Sequence, residues 1–224
     1  DIIQFQSAFD SYYHAGTVSL ERRLLKNFNL LASYTFSKSI DNVVDSIRPD
    51  IQPPNNPLKP GDERSLSLQD LRHRFVASAT VDFNNNRYKI LRDFQVSTII
   101  TLESGHPYNL LAGVDLDQNG DNPAGDRPNG IGRNAGITPG FYNVNFRLTR
   151  NLQLSEKYRL QGFLEVFNLF NTVNINQVNN VFFPDSQGNF NLPRQENGRF
   201  VAPREGFQSA FAPRQFQLGF RFNF

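Results

Sequence analysis

The chain has 224 residues, with 23 Lys and Arg against 21 Asp and Glu, 22 Phe, and no Cys, Met or Trp. A net charge of +2 without a basic run gives no reason to expect a nucleic-acid partner, and the lack of Cys excludes disulfides, thiol catalysis and thiolate metal sites. No stretch approaches the ~18–20 apolar residues of a membrane helix, and a start at Asp1 without a signal peptide predicts a mature or trimmed chain.

Seven segments alternate apolar and polar residues, which is the period-two pattern of β-strands with one apolar face. In chain order, the predicted strands cover residues 12–24, 28–37, 74–83, 94–103, 141–149, 159–169 and 214–224. The last strand has an apolar residue at every second position: Phe216, Leu218, Phe220, Phe222 and Phe224. The segment IIQFQ at residues 2–6 predicts the remnant of an eighth strand.

The connections between these strands alternate between short and long. Short turns are predicted near residues 25–27, 84–92 and 150–157, and long links cover about 40–72, 105–140 and 170–211. The long links are rich in Pro, Gly, Asn and Asp, which favours loops over helices. A solvated linker between domains is the alternative for any one link. Three long links that alternate with short turns predict instead one domain over residues 1–224. This domain would be an antiparallel meander with all its long loops at one end.

The apolar faces of these strands can point either into a soluble core or towards lipid. Three features favour lipid. Charged residues lie mainly on the opposite faces; aromatic residues begin or end the apolar faces, as in interfacial girdles; and strands of about ten residues suit a tilted membrane crossing. The sequence therefore predicts an all-β fold, an antiparallel outer-membrane β-barrel or part of a larger one. A soluble ligand-binding β-barrel is the alternative.

The polar faces of the predicted barrel carry acidic and basic residues that we expect to pair across the lumen. The expected pairs are Glu165 with Arg147, Glu103 with Arg221, and Asp82 with Arg74. Such charges usually serve packing and solvation within a barrel and sometimes line a selective pore.

Six segments also resemble a known family: YYHAGTVSLERRLLKNFNLLASYTFSKSIDN, RHRFVASATVDF, QVSTIITLESGHPYNL, GDRPNGIGRNAGITPGFYNVNFRLTRN, LQGFLEVFNLFN and APRQFQLGFRFNF. In this order they are similar to the C-terminal barrel region of Oar-like TonB-dependent receptors of the bacterial outer membrane. The resemblance covers essentially the whole chain, and its motifs are structural motifs that do not identify a substrate.

The resemblance implies a barrel that imports large or scarce nutrients with energy from an inner-membrane partner. Such receptors have a plug inside about 22 strands, whereas this chain shows no plug and no TonB-contacting segment. We therefore expect either a piece of a receptor or a smaller relative that completes a barrel by self-association, with a TonB-type partner only if a plug exists elsewhere. The alternative is a structural or adhesive outer-membrane module without transport.

The segment DLDQNGDNPAGD at residues 115–126 matches the first half of a calcium-binding loop, and its last residue falls at position 12. The predicted ligands are Asp115, Asp117, Asn119, Asp121 and Asp126, with Gly120 at the sharp turn. The flanks do not predict helices, so we expect a structural Ca²⁺ in a surface loop, where it stiffens the loop or bridges to anionic lipopolysaccharide. An ordinary acidic turn is the alternative.

Catalysis finds little support in the sequence. The histidines His14, His73 and His106 are scattered, and His73 is interpreted as the start of a strand. The Ser104-Gly105-His106 segment has no acid at a recognisable spacing and is interpreted as a turn. We expect no enzymatic activity.

Overall fold

The computed structural model describes residues 9–24, 27–42, 54–56, 58–83, 89–118, 120 and 126–224. The described residues contain short 3-10 helices at Pro60–Glu63, Lys89–Leu91 and Arg204–Gly206. The strands are β1 Ser11–Leu24, β2 Phe28–Asp41, β3 Ser65–Leu66, β4 His73–Asp82, β5 Phe94–Glu103, β6 Pro107–Tyr108, β7 Gly136–Ile137, β8 Phe141–Gln153, β9 Arg159–Phe167, β10 Ile175–Val178, β11 Gln195–Glu196, β12 Arg199–Val201, β13 Phe207–Ala210 and β14 Gln215–Asn223.

The seven long strands form one antiparallel sheet in the order β1-β2-β4-β5-β8-β9-β14, with β3 paired to β2. We call these seven strands the wall. Each corresponds to one predicted strand, and β5 has the predicted bounds, so the predicted meander is confirmed. Strands β2 and β8 each run about four residues beyond the prediction. The IIQFQ segment lies outside the described residues.

The register of the wall places its apolar residues on one continuous face. Across five neighbouring strands the paired residues are Val18, Tyr34, Phe75, Leu102 and Tyr142. Because side chains alternate between the two faces of a strand, this register leaves the polar residues together on the other face.

The apolar face of the wall is largely uncovered. Val18 is 73% exposed and Phe220 is 70% exposed. Among the described residues, the main buried apolar cluster lies instead in the long links, around Leu110, Val178 and Ala202. The wall is therefore not half of a soluble sandwich, because packing two sheets would bury their apolar faces against each other.

The long links carry short strands that the sequence did not predict. One small sheet pairs β10 with β13, and another has the order β11-β12-β7-β6. We call the described residues of the three long links the loop cover. In the described part of the chain, no helix has the length and apolar character needed to cross a membrane.

Candidate functional site

The loop cover packs on the polar face of the wall and leaves the apolar face bare. Ser37 and Ser39 point to the polar face near the loop end of β2, and both are buried. The Ser37 hydroxyl donates to the Leu71 carbonyl at 2.7 Å, and the Ser39 amide donates to Asp70 Oδ1 at 2.6 Å. A soluble protein covers its apolar faces with other parts of the chain. Here the loops cover the polar face instead, so the polar face is the inner surface of the wall and the apolar face is the outer one.

Two buried ion pairs join the first and second links of the loop cover. The Arg127 guanidinium donates to both carboxylate oxygens of Glu63, at 2.7 and 2.9 Å, and the Glu63 side chain is 1% exposed. Arg133 pairs with the Asp41 carboxylate and also donates to the Glu63 carbonyl at 2.8 Å. The bidentate Arg127–Glu63 pair fixes the geometry of its two links strongly. Sequence reasoning missed both ion pairs because the partners are distant in the chain.

Arg147 and Glu165 lie opposite each other on the polar face of β8 and β9. Their side chains pair at 3.1 Å, so the predicted partners are confirmed, but the pair joins adjacent strands and does not cross a lumen as expected. The Arg147 guanidinium also lies 4.3 Å from the centre of the Phe163 ring, which is a cation–π contact. The pair therefore joins neighbouring strands on the inner surface of the wall.

The two other predicted pairs are wrong. Glu103 pairs with Arg74 at 2.9 Å rather than with Arg221, because the register places Glu103 directly opposite Arg74. Asp82 accepts a hydrogen bond from Gln95 Nε2 at 2.7 Å rather than pairing with Arg74. Both observed contacts join adjacent strands, and neither crosses a lumen.

Two neighbouring cavities lie where the polar face meets the loop cover; we call them together the groove, and we call the one lined mainly by loop-cover residues the upper cavity. The upper cavity has a volume of about 550 Å³ and is lined by Tyr108, His106, Gln177 and other residues. The lower cavity has a volume of about 210 Å³. Phe141 and Phe211 border both cavities, with their ring centres 5.4 Å apart in an edge-to-face contact.

Each cavity of the groove is lined by a residue with a buried polar atom that lacks a hydrogen-bond partner among the described residues. These atoms are the Tyr108 hydroxyl in the upper cavity and Asn143 Oδ1 in the lower one. Tyr108 is only 7% exposed, and burial raises the pKa of its hydroxyl to about 12. The phenol is therefore neutral at physiological pH.

Three of the predicted calcium ligands lie close together. Asp115, Asp117 and Asp126 each offer a carboxylate oxygen, and these oxygens lie within 4.8 Å of one another. The other two predicted ligands, Asn119 and Asp121, lie outside the described residues. The sequence motif thus corresponds to a compact group of carboxylates in the part of the loop that the structure describes.

Backbone amides orient two of these three carboxylates. Asp115 Oδ2 accepts from the Gly120 amide at 3.1 Å, and Asp126 Oδ2 accepts from the Leu116 amide. Asp115 Oδ1 is buried without a hydrogen-bond partner among the described residues. Carboxylate oxygens in this arrangement suit a hard cation such as Ca²⁺.

The candidate catalytic segment forms part of the connection between strands. His73 begins β4, as predicted, and its amide donates to the Ser104 hydroxyl at 3.2 Å. The His106 amide donates to Thr138 Oγ1 at 2.9 Å. The Tyr34 hydroxyl lies 2.8 Å from His73 Nδ1 on the apolar face. These hydrogen bonds hold the ends of the strands in place.

Basic residues occur on the apolar face of the described strands only towards the ends. Lys38 lies near the loop end of β2, and Arg150 lies near the turn end of β8. The Arg150 guanidinium lies 5.0 Å from the centre of the Phe94 ring. Basic residues flanking an apolar band can extend their charged groups towards the membrane surface.

An antiparallel wall with a bare apolar face, an inner polar face and loops folded over one end defines a membrane β-barrel architecture. The family described as "Outer membrane beta barrel domain" matches residues 1–134, which is more than half of the 224 residues. The chain belongs to this family and is a protein of the bacterial outer membrane. A soluble barrel does not fit this family. Comparison with curated proteins and with solved structures found no match.

Proposed function

We propose that this chain forms barrel wall and external loops of a TonB-dependent type of receptor that takes up a nutrient. The observation that carries the proposal is the groove between the polar face and the loop cover. Short turns face the periplasm and long loops face outward in such barrels, so the groove lies at the external mouth. The resemblance to Oar-like receptors supports the same function.

A receptor requires a preformed surface at its mouth, since ordering loops during binding costs affinity. The buried pairs Glu63–Arg127 and Asp41–Arg133 join the first and second links of the loop cover. They thereby hold these two links together above the polar face. This rigidity supports a binding role for the loop cover.

Growth of the native bacterium tests this function. Deleting the gene should abolish or slow growth on at least one limiting nutrient from a panel of single carbon, iron and peptide sources, and the intact gene on a plasmid should restore it. Unchanged growth on every nutrient, together with weaker surface attachment, would instead favour the adhesive alternative.

Self-association is the second candidate, and the edges of the sheet favour it. In the described part of the wall, β1 and β14 each pair with a long strand on one side only. Unpaired strand edges are costly in a bilayer, so these edges require further strands. Cross-linking in native membranes, followed by mass measurement, distinguishes the sources: several copies of one polypeptide support self-association, and a single longer polypeptide contradicts it.

We also propose that the carboxylates of Asp115, Asp117 and Asp126 hold a structural Ca²⁺. The Asp126 carbonyl accepts from the Ala112 amide at 2.7 Å, which connects the site to a buried part of the loop cover. Calorimetric titration of chelator-treated protein in detergent should show Ca²⁺ binding that Asp117→Asn weakens and Asp62→Asn, at an exposed site elsewhere, does not. Equal binding by both variants would contradict this site.

The rim of the apolar face on the loop side is proposed to contact lipopolysaccharide. Lys38 is exposed there, and the Arg64 guanidinium lies 5.0 Å from the centre of the Tyr12 ring. Positive charge beside aromatic rings suits anionic lipid headgroups. Less lipopolysaccharide should co-purify with Lys38→Gln than with Lys157→Gln, which changes a lysine at the turn end. Equal amounts would contradict the contact.

A further inference from the structure

We propose that the groove binds an uncharged, hydroxyl-rich ligand, namely a neutral oligosaccharide, with Phe141 and Phe211 between two hydrogen-bonding compartments. This inference deepens the proposed function and rests on it for its biological role. The binding itself depends only on the groove.

The ionisable groups of the groove offer little to a charged ligand. In the upper cavity the acidic residue is Glu103, and its carboxylate already pairs with Arg74 at 2.9 Å. His106 and the neutral phenol of Tyr108 are the other ionisable side chains that line the upper cavity. The lower cavity is lined by aromatic, amide and small residues without a formal charge. An ionic ligand would lose its hydration without gaining an opposite charge.

Amide side chains give the groove both donors and acceptors. Asn176, Gln177 and Asn180 line the upper cavity, and none has a side-chain hydrogen bond to a described residue. An amide carries two donor hydrogens and an acceptor oxygen. A sugar hydroxyl also donates and accepts, so adjacent hydroxyls match amide groups well.

One buried polar atom beside each cavity, the Tyr108 hydroxyl and Asn143 Oδ1, has no hydrogen-bond partner among the described residues. Burying an unsatisfied polar group costs about 1–3 kcal/mol. The neutral Tyr108 hydroxyl can donate or accept, whereas Asn143 Oδ1 accepts. A ligand that spans both cavities and presents hydroxyls at each end would satisfy both atoms after a small shift of each side chain brings the covered atom to the cavity surface.

The aromatic pair supplies the apolar contact that a sugar ring requires. Phe211 is 52% exposed although its ring contacts Phe141. The C–H face of a pyranose packs against such a ring by dispersion, while the hydroxyls at its edge remain free to hydrogen-bond. Polar groups on both sides of an aromatic plane therefore favour an oligosaccharide over a hydrocarbon ligand.

Binding is measured by calorimetry on the intact protein extracted from outer membranes in detergent. The probes are four neutral hexasaccharides (maltohexaose, cellohexaose, xylohexaose and mannohexaose), with hexagalacturonate as the acidic probe and hexa-alanine as the peptide probe. We expect at least one neutral sugar to bind about tenfold or more tightly than the acidic sugar and the peptide, a difference of about 1.4 kcal/mol.

Variants locate the binding site. Tyr108→Phe should weaken binding of that sugar about three- to tenfold, the effect of one net hydrogen bond. Phe211→Ala should weaken it at least as much, and Phe211→Tyr should retain it because the ring remains. Tyr158→Phe removes a hydroxyl at the turn end and should leave affinity unchanged. Heat-modifiable gel mobility confirms folding, and if Tyr108→Phe misfolds, the two Phe211 variants decide.

The inference is overturned if no neutral hexasaccharide binds, if the acidic sugar or the peptide binds more tightly, or if Phe211→Ala binds the sugar like the wild type. These outcomes are separate from the growth test. Sugar binding without a growth defect in the deletion strain overturns the uptake function alone, and a growth defect without sugar binding overturns this inference alone.

Discussion

Strand β2 shows within a few residues how differently the two faces of this molecule are stabilised. Phe36 and Lys38 are exposed on the apolar face, whereas Ser37 and Ser39 are buried on the polar face beneath the loop cover. The wall depends on lipid to cover its apolar residues, and its strands are joined by backbone hydrogen bonds. The loop cover faces water and depends on its own small core and buried ion pairs.

Because the two regions are stabilised differently, they should tolerate different substitutions. A charge on the apolar face disrupts the contact with lipid, and a lost charge in the loop cover leaves its partner buried and unpaired. Adding a charge should therefore destabilise the apolar face of the wall, whereas removing a charge should destabilise the loop cover.

The largest effect is expected in the loop cover. Glu63→Gln leaves the Arg127 guanidinium buried without its counter-charge, which should cost about 3–5 kcal/mol. Amide hydrogen exchange in residues 58–72 should become about 10²- to 10⁴-fold faster, while exchange in β5 stays unchanged. The control is Glu196→Gln, which breaks the exposed pair of Glu196 with Arg194 and should have little effect. Equal effects would show that burial of the first pair is unimportant.

The next effect is expected in the wall. Leu218→Arg places a charge at the middle of the apolar face of β14, and such a charge costs about 2–4 kcal/mol near the bilayer centre. The fraction of protein in the heat-modifiable, membrane-inserted form should fall. Gln217→Arg puts the same charge on the polar face opposite Glu165 and should insert normally. If the polar-face variant inserts worse, the two faces have been assigned the wrong way round.

The wall was largely predictable from the sequence, because period-two alternation defines both the strands and their faces. The loop cover was not. Its short strands, such as β6 and β11, have two residues each, too few to show periodicity. Its ion pairs join residues 64 positions apart, as in Glu63–Arg127, or 92 positions apart, as in Asp41–Arg133. Only the folded loops bring such residues together.

The two candidate sites also differ in how far the sequence predicts them. The carboxylates of Asp115, Asp117 and Asp126 belong to one local motif, and the sequence was sufficient to group them. The groove combines Tyr108, Asn143 and Phe211 from three separate segments. No local signal marks these residues as neighbours, since their proximity depends on the register of the wall and the packing of the links above it.

A smaller effect is expected where an aromatic ring covers a glycine on the polar face. A Cβ at Gly219 would lie 2.3 Å from Phe163 Cζ, so Gly219→Ala must displace the Phe163 ring, which also contacts Arg147. Overpacking of this kind costs about 1–3 kcal/mol, measured as a lower urea midpoint in lipid vesicles. Gly16→Ala is the matched control, because a Cβ there meets no atom within 4 Å. Equal midpoints for the two variants would mean that Phe163 moves without cost.

The smallest effect tests the register of the wall directly. A double-mutant cycle of Arg74→Gln with Glu103→Gln should give a coupling energy of about 0.2–1 kcal/mol, because the pair is partly exposed and lies between adjacent strands. The equivalent cycle of Arg221 with Glu103 should give none, since Arg221 lies opposite Gln161 on β9. Raising the salt concentration should reduce the first coupling. A coupling confined to the second pair would mean that the strands pair in another register, and the continuous apolar face would then require a different arrangement of the wall.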